Sequence, residues 1–313
     1  MMRATTNDQE LLYFWAIGDL HYRTLEVWNE FHTRRLVPMF EDLQTLWKGE
    51  GKPAFCVSPG DIVDTCAPEN YRLARIRLES HLGTIPFYAG IGNHEYYGPE
   101  GEDPEIMVET FTTMWEKPLR YAWVADKVAC IMLDYPNPRT LVEANKVYIS
   151  PETLSFLDDA LKEFARYPAI IFLHCPLYNT VLGRDPEQHR DYNSLQSFFA
   201  PENSQEVRNI LARHKNVCLC LSGHTHSGWE APNLVSTEYL GDHPVTFVNL
   251  MSPWYTGRHK DPQINADGTL QYTPDNPDVL PTFAIRIYPQ QISIRVRDHR
   301  TQQWLKEWCV PRS

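Results

Sequence analysis

Five short polar segments constrain this chain more than any other feature, because each stands where an apolar, strand-sized run stops. The run 11–17 reads as a strand and leads into Asp19-Leu20-His21. The run 53–58 is followed by Gly60-Asp61-Ile62-Val63-Asp64, and 86–91 by Gly92-Asn93-His94-Glu95. The run 169–173 ends on His174, and 217–221 on Gly223-His224-Thr225-His226. Ligands converge at the carboxyl ends of strands in open α/β sheets. A fold that gathers five such ends has to be built on sheets whose strand ends face one site. Glycine at the turns lets the backbone bend sharply there.

Between the strands the spacing predicts helices. Residues 25–47 carry apolar side chains at helical intervals, with a break or bend expected near Pro38. Further helices are predicted over 69–82, 104–115 and from Ser150 to about Arg166, with Ser150 as N-cap and Pro151 first in the helix. Strands 121–124 and 128–133 form a hairpin, 245–249 is another short strand, and 282–297 reads as a C-terminal β-hairpin. Alternating β and α followed by hairpins indicates an α/β core, two packed sheets with helices outside. Two stretches poor in pattern, 175–203 and 259–278, read as loops. The first leaves directly from His174 and is expected to form a rim or lid.

With 313 residues, 42% of them hydrophobic, the chain can bury a large core, and 1–313 reads as one domain. No apolar run approaches the roughly 20 residues that cross a bilayer. Residues 1–10 lack the basic start and apolar run of a secretory leader, so a cytoplasmic location is expected. A net charge of -11 argues against a nucleic-acid track or an anionic-membrane grip. A small phosphorylated substrate is compatible with that charge if bound cations invert the local field. Seven cysteines without a C-x-x-C pair make no disulfide framework, and buried small hydrophobes are expected.

The five segments share a ligand chemistry. Carboxylate, imidazole and amide oxygen suit Mn, Fe, Zn, Ni or Mg, and the lack of cysteine argues against a closed structural zinc site. In D-x-H and H-x-H triplets, alternate residues of an extended segment point to one side, giving two ligands from one turn. Each triplet alone is weak; five in order are selective.

The set D-x-H, G-D-x-x-D, G-N-H-E, single His, G-H-x-H, spanning Asp19 to His226, resembles the signature of the calcineurin-like metallophosphoesterase superfamily. The resemblance implies an α/β fold, a four-layer αββα sandwich of two mixed sheets flanked by helices. It implies two divalent or trivalent metal ions, one held by Asp19, His21, Asp61 and His226, the other by Asp61, Asn93, His174 and His224. A metal-bridging hydroxide would attack phosphorus, with His94 as general acid and Asp64 paired to it. Thr65 stands where the Ser/Thr phosphatases carry a phosphate-clamping arginine, and Asp64 where purple acid phosphatases carry a tyrosine ligand. What remains is similar to the cyclic-nucleotide phosphodiesterase and glycerophosphodiesterase branch, which has Asp where Glu95 stands.

Hydrolysis of phosphodiesters is therefore expected. The second reading is a phosphomonoesterase on a nucleotide, sugar phosphate or phosphoprotein, and the third a metal-free protein-binding scaffold of the same fold. Tyr22, Arg23, Tyr96 and Tyr97, adjoining the ligand segments, and Tyr178, Arg184, His189 and Arg190 in the loop after His174 are the substrate-contact candidates, Arg23 foremost for its bidentate reach to phosphate. The histidines at 32, 81, 214, 243, 259 and 299 read as structural or exposed.

Overall fold

The first strand is apolar on both faces, so it has to be covered from both sides. In the computed structural model β1 (Leu12–Ala16) sends Leu12, Phe14 and Ala16 into one core, and Tyr13 and Trp15 into another. Described residues are 9–98, 103–135, 146–182, 193–229, 231–254 and 279–312.

Along the chain follow α1 (Glu26–Glu50), β2 (Cys56–Ser58), α2 (Pro68–Leu82), β3 (Phe87–Ala89) and α3 (Pro104–Trp115). Next come β4 (Tyr121–Ala125), β5 (Val128–Met132), α4 (Pro151–Glu163), β6 (Ala169–Phe172), α5 (Ser204–Arg213) and β7 (Val217–Ser222). The chain closes with β8 (Val235–Leu240), β9 (His243–Asn249), β10 (Pro281–Ile287), β11 (Gln291–Asp298) and β12 (Gln303–Pro311). One sheet runs β12-β11-β10-β1-β2-β3, with β1, β2 and β3 parallel and the other pairs antiparallel. The other runs β4-β5-β6-β7-β9-β8, parallel from β5 to β9 with antiparallel edges.

Three apolar cores separate four layers. Between the sheets lie Phe14, Phe55, Phe172 and Phe283; outside the first sheet Trp15 meets Met39 and Leu43 of α1 and Tyr71 of α2. Outside the second, Ile131 and Ile171 meet Leu157 of α4 and Ile210 of α5. This is the αββα sandwich with two mixed sheets. All the parallel strands deliver their carboxyl ends to one edge of it, which is where the polar segments lie.

Several local expectations change. Helix α1 runs through Pro38 without a break: the proline forfeits one main-chain bond, while Met39, Phe40 and Leu43 anchor the following turn in the core. The C-terminal hairpin over 282–297 is part of a three-stranded meander, and β10 pairs with β1, so these strands are built into the first sheet. Helix α5 and strands β8 and β12 were not foreseen. The two strands are half-exposed sheet edges rich in polar residues, which weakens the alternation a sequence shows. Of the 175–203 loop, 183–192 lies outside the described residues, as does all of 259–278. Among the described residues no helix is long and apolar enough to cross a membrane.

A buried polar chain fastens α1 to the first sheet. Trp15 Nε1 donates to Thr282 Oγ1 at 2.6 Å, and that hydroxyl lies 2.6 Å from His299 Nε2. The Asp42 carboxylate can only accept, so His299 Nδ1–H donates to it at 2.8 Å, and Nε2 of the neutral ring accepts from the Thr282 hydroxyl. Arg297 adds two bonds to Asp42 at 2.8 and 2.9 Å. Burial works against the Asp42 carboxylate, but His299 and Arg297 outweigh it and hold it down at about 2. An unfolded aspartate titrates near 3.9, so the shift stabilises the fold by about 2 kcal/mol. The folded value is the lower one, so this contribution is complete above about pH 4 and is lost as pH falls through about 2. The stability gap between wild type and Asp42→Asn in urea unfolding should therefore shrink from pH 5 to pH 2.5. A constant gap would show that Asp42 carries no such shift.

Candidate metal centre

The ligand-bearing turns depart from ordinary backbone geometry. His21, Asp61, His224 and His226 all have φ in the left-handed region, at 50°, 52°, 71° and 45°. Such conformations cost non-glycine residues about 1–3 kcal/mol each and cluster at functional sites. Here the strain turns side chains back over the strand ends. Two glycines make the room: a Cβ on Gly92 would lie 2.2 Å from Asp61 Oδ1, and one on Gly223 2.7 Å from Asp19 Oδ2.

The side chains converge in three groups, two that share Asp61 and a third of His21, Asp64 and His94. Asp19, His21, Asp61 and His226, all buried, bring one donor atom each within 4.8 Å of one another, and so do Asp61, His174 and His224. His21 Nε2 lies 3.1 Å from His226 Nε2. His174 Nε2 lies 3.2 Å from both Asn93 Oδ1 and Asp61 Oδ2. Metal–ligand bonds of about 2.0–2.1 Å at right angles put neighbouring donors about 3 Å apart, which is the spacing seen. Asp61 Oδ2 also lies 3.9 Å from His21 Nε2, so one oxygen faces both groups.

Other observations fit cations. Asp19 Oδ2 and His174 Nδ1 are buried with no hydrogen-bond partner. Burial pushes His174 down, but the Asp61 and Asp19 carboxylates outweigh it and hold it up at about 9, the field of a pocket that attracts positive charge. Burial, with His174 beside it, pushes His224 down to about 3. His224 Nε2–H donates to the Phe198 carbonyl at 3.1 Å, which leaves Nδ1 with its lone pair toward the cluster. The Asn93 amide is oriented by Nδ2 donating to the Tyr97 hydroxyl at 3.0 Å, so its oxygen faces His174.

His94 stands beside the cluster with its side chain 26% exposed. Its Nδ1 lies 2.9 Å from the main-chain carbonyl of Asp64, which can only accept, so Nδ1 carries a proton and Nε2 is free for other work. The Asp64 carboxylate is 3.6 Å from that nitrogen. It bonds Arg23 Nη1 at 2.9 Å and faces His21 Nδ1 at 3.7 Å. The expected Asp64–His94 pairing is thus present at 3.6 Å, with the main-chain carbonyl making the shorter bond, and the Asp64 carboxylate also stands behind His21.

A model of the calcineurin-like phosphoesterase family matches residues 12–228. The chain belongs to that family. A manganese-dependent ADP-ribose/CDP-alcohol diphosphatase of Arabidopsis thaliana is 23% identical over 256 residues, 70% of this chain and 81% of its own. Among solved structures, a dimetal phosphatase from Danio rerio superposes with a TM-score of 0.62 at 15% identity, covering 97% of this chain and 100% of that one. A purple acid phosphatase from yellow lupin seeds gives 0.59 at 14% identity, with 96% and 54% covered. An anchor protein of the Plasmodium inner membrane complex gives 0.59 at 13%, with 97% and 90% covered. At these identities the structures share the fold. This phosphoesterase carries an Asp/His cluster whose donor set suits divalent or trivalent metal ions.

Of the substrate-contact candidates, Arg23 is partly exposed, pinned by Asp64 with its guanidinium 5.5 Å over the Trp28 ring, while Arg184, His189 and Arg190 lie outside the described residues. Tyr22 is buried between α1 and α2 against His32, and Tyr96 is buried near Tyr135. Tyr97, 38% exposed with its ring 4.7 Å from His94, forms the wall instead, because a 3₁₀ turn over His94–Tyr96 rotates Tyr96 inward. Within 175–203, the described Phe198 and Phe199 rings lie 5.6 and 5.0 Å from His224.

Sequence reading missed Asn249, at the end of β9. Its Nδ2 donates to Gly223 O at 2.7 Å and its Oδ1 accepts from Thr225 Oγ1 at 2.7 Å, stapling the G-H-T-H turn. An asparagine after a short apolar strand carries no signal of this. The extra histidines at 32 and 299 are buried and hydrogen-bonded to Leu20 and to Asp42, as structural residues are.

Proposed function

We propose that this phosphoesterase hydrolyses disubstituted phosphates, phosphodiesters or the phosphoanhydrides of nucleoside-diphosphate compounds, in preference to phosphomonoesters. The carrying observation is electrostatic. At the two positions where a clamp for a dianion would stand, the Arg23 guanidinium is neutralised by Asp64 at 2.9 Å, and Thr65 Oγ1 accepts from Asn70 at 2.9 Å. Neither offers uncommitted positive charge for the second negative charge of a monoester. The name of the Arabidopsis diphosphatase supports the reading, since ADP-ribose carries two disubstituted, singly charged phosphates.

In this reading Asp19, His21, Asp61 and His226 hold one cation, and Asp61, Asn93, His174 and His224 the other. Bound there, the pair supplies Lewis acidity toward the phosphoryl oxygens and an activated water. The chain's own residues do the rest. The Asp64 carbonyl fixes the His94 ring so that Nε2 can give a proton to the departing oxygen. Tyr97 keeps the Asn93 oxygen turned inward, and Phe198 does the same for the His224 ring. The complete set of donors supports hydrolysis over the scaffold reading.

With manganese-loaded enzyme, kcat/KM for bis-p-nitrophenyl phosphate and for ADP-ribose should exceed that for p-nitrophenyl phosphate. Preference for p-nitrophenyl phosphate with Mn, Fe, Zn, Ni and Mg alike would transfer the assignment to a phosphomonoesterase.

A further inference from the structure

Glu95, where the sequence departs from the aspartate of its nearest branch, is wholly buried and reaches two loops at once. Its Oε1 accepts from the main-chain N–H of Ile62 at 2.8 Å and Val63 at 3.1 Å. Its Oε2 accepts from Asp61 at 2.9 Å and Gly92 at 2.7 Å. All four neighbours are donors, so the group that fits is one whose two oxygens both accept.

We infer that Glu95 is a positioning residue: it holds the loop bearing Asp61 in the left-handed conformation that presents one carboxylate to both halves of the metal centre. Three successive N–H groups, from Asp61 to Val63, point inward together and form a small anion-binding nest. Nothing in the local sequence would keep Asp61 at φ 52°. The Glu95 carboxyl group filling the nest does so. The bond to Gly92 ties the same carboxyl group to the loop carrying Asn93 and His94, and the His94 N–H in turn donates to Asp61 Oδ1 at 2.9 Å. The two loops are therefore cross-braced around Asp61. A glutamate spans both, whereas an aspartate is one methylene too short to reach the far pair of amides.

The inference rests on the metal reading of the cluster, and its test is metal binding in the absence of substrate. Wild type, Glu95→Gln and Glu95→Asp are stripped with a chelator. Mn²⁺ affinity is measured by titration calorimetry, and thermal unfolding is followed on the metal-free forms. Glu95→Gln turns an NH₂ against one pair of N–H donors, and loss of such an orienting partner typically lowers metal affinity about 10–100-fold. Glu95→Asp keeps the carboxyl group and should fall between the two. A role in stability alone would lower the unfolding temperature and leave the Mn²⁺ affinity of the folded protein unchanged. That result in either folded variant overturns the inference, and Glu95→Asp serves if Glu95→Gln does not fold. Wild type that binds no Mn²⁺ overturns the metal reading, and the inference with it.

Discussion

Replacing Asp61 by asparagine is expected to abolish turnover and empty the metal centre while the protein stays folded. Asp61 is the one side chain common to both ligand groups, with Oδ2 at 3.2 Å from His174 and 3.9 Å from His21. Its other oxygen accepts the His94 main-chain N–H. An asparagine keeps that bond by leaving its carbonyl there, which turns its NH₂, a donor, toward the place where a lone pair is needed. Burial opposes the charge on Asp61, yet His174 and His94 hold it well below the usual carboxylate range, so the site is built around that charge. Metal catalysis contributes several kcal/mol, and each 1.36 kcal/mol is tenfold, so kcat/KM should fall by about 10³-fold or more. Circular dichroism checks the fold, and elemental analysis counts the metal. Two retained ions with ordinary activity would remove Asp61 from the bridging position.

His94→Ala should cost about 10²–10⁴-fold on esters with alkoxide leaving groups and far less on nitrophenyl esters, which depart without a proton. The geometry supports this split: Nδ1 is engaged by the Asp64 carbonyl, and Nε2 belongs to a ring that is partly exposed beside the cluster. Metal content should stay near wild type, since His94 is not among the proposed ligands. Asp64→Asn makes a sharper companion than the sequence suggested. The carbonyl that orients His94 survives the substitution, so the leaving-group dependence should stay close to wild type. What it disturbs is Arg23 and the support behind His21. The measurement is the slope of log kcat/KM against leaving-group pKa for all three proteins, under conditions where chemistry limits that parameter. Equal slopes for wild type and His94→Ala would reduce His94 to positioning or electrostatic stabilisation.

The strand-end segments were legible because their signals are local. An apolar run says strand, a glycine says turn, and Asp, His and Asn say hard or borderline metal in a few residues of text. Helix α4 is legible for the same reason: Ser150 caps it, accepting from Thr153 N at 3.2 Å, with Pro151 in the first turn. Edge strands β8 and β12 were not, since one face and one edge meet water and the pattern blurs.

The sequence by itself indicated an α/β core of packed sheets with helices outside, and the resemblance carried by its five strand-end motifs implied the four layers and the seven candidate donors, because alternation, strand ends and ligand chemistry are properties of short segments. Only the tertiary structure decided how the donors are aimed. Left-handed turns at four of them, the carbonyl of Asp64 on His94 at a shorter distance than its carboxylate, Tyr97 rather than Tyr96 at the wall, and the four amides on Glu95 are the results. The physical reason is that, while the Tyr97 position depends on a 3₁₀ turn that carries little signal in the sequence, the His94 ring and the Asp61 turn depend on hydrogen bonds between loops about thirty residues apart. Such a bond fixes φ or a ring orientation that neither segment would adopt alone.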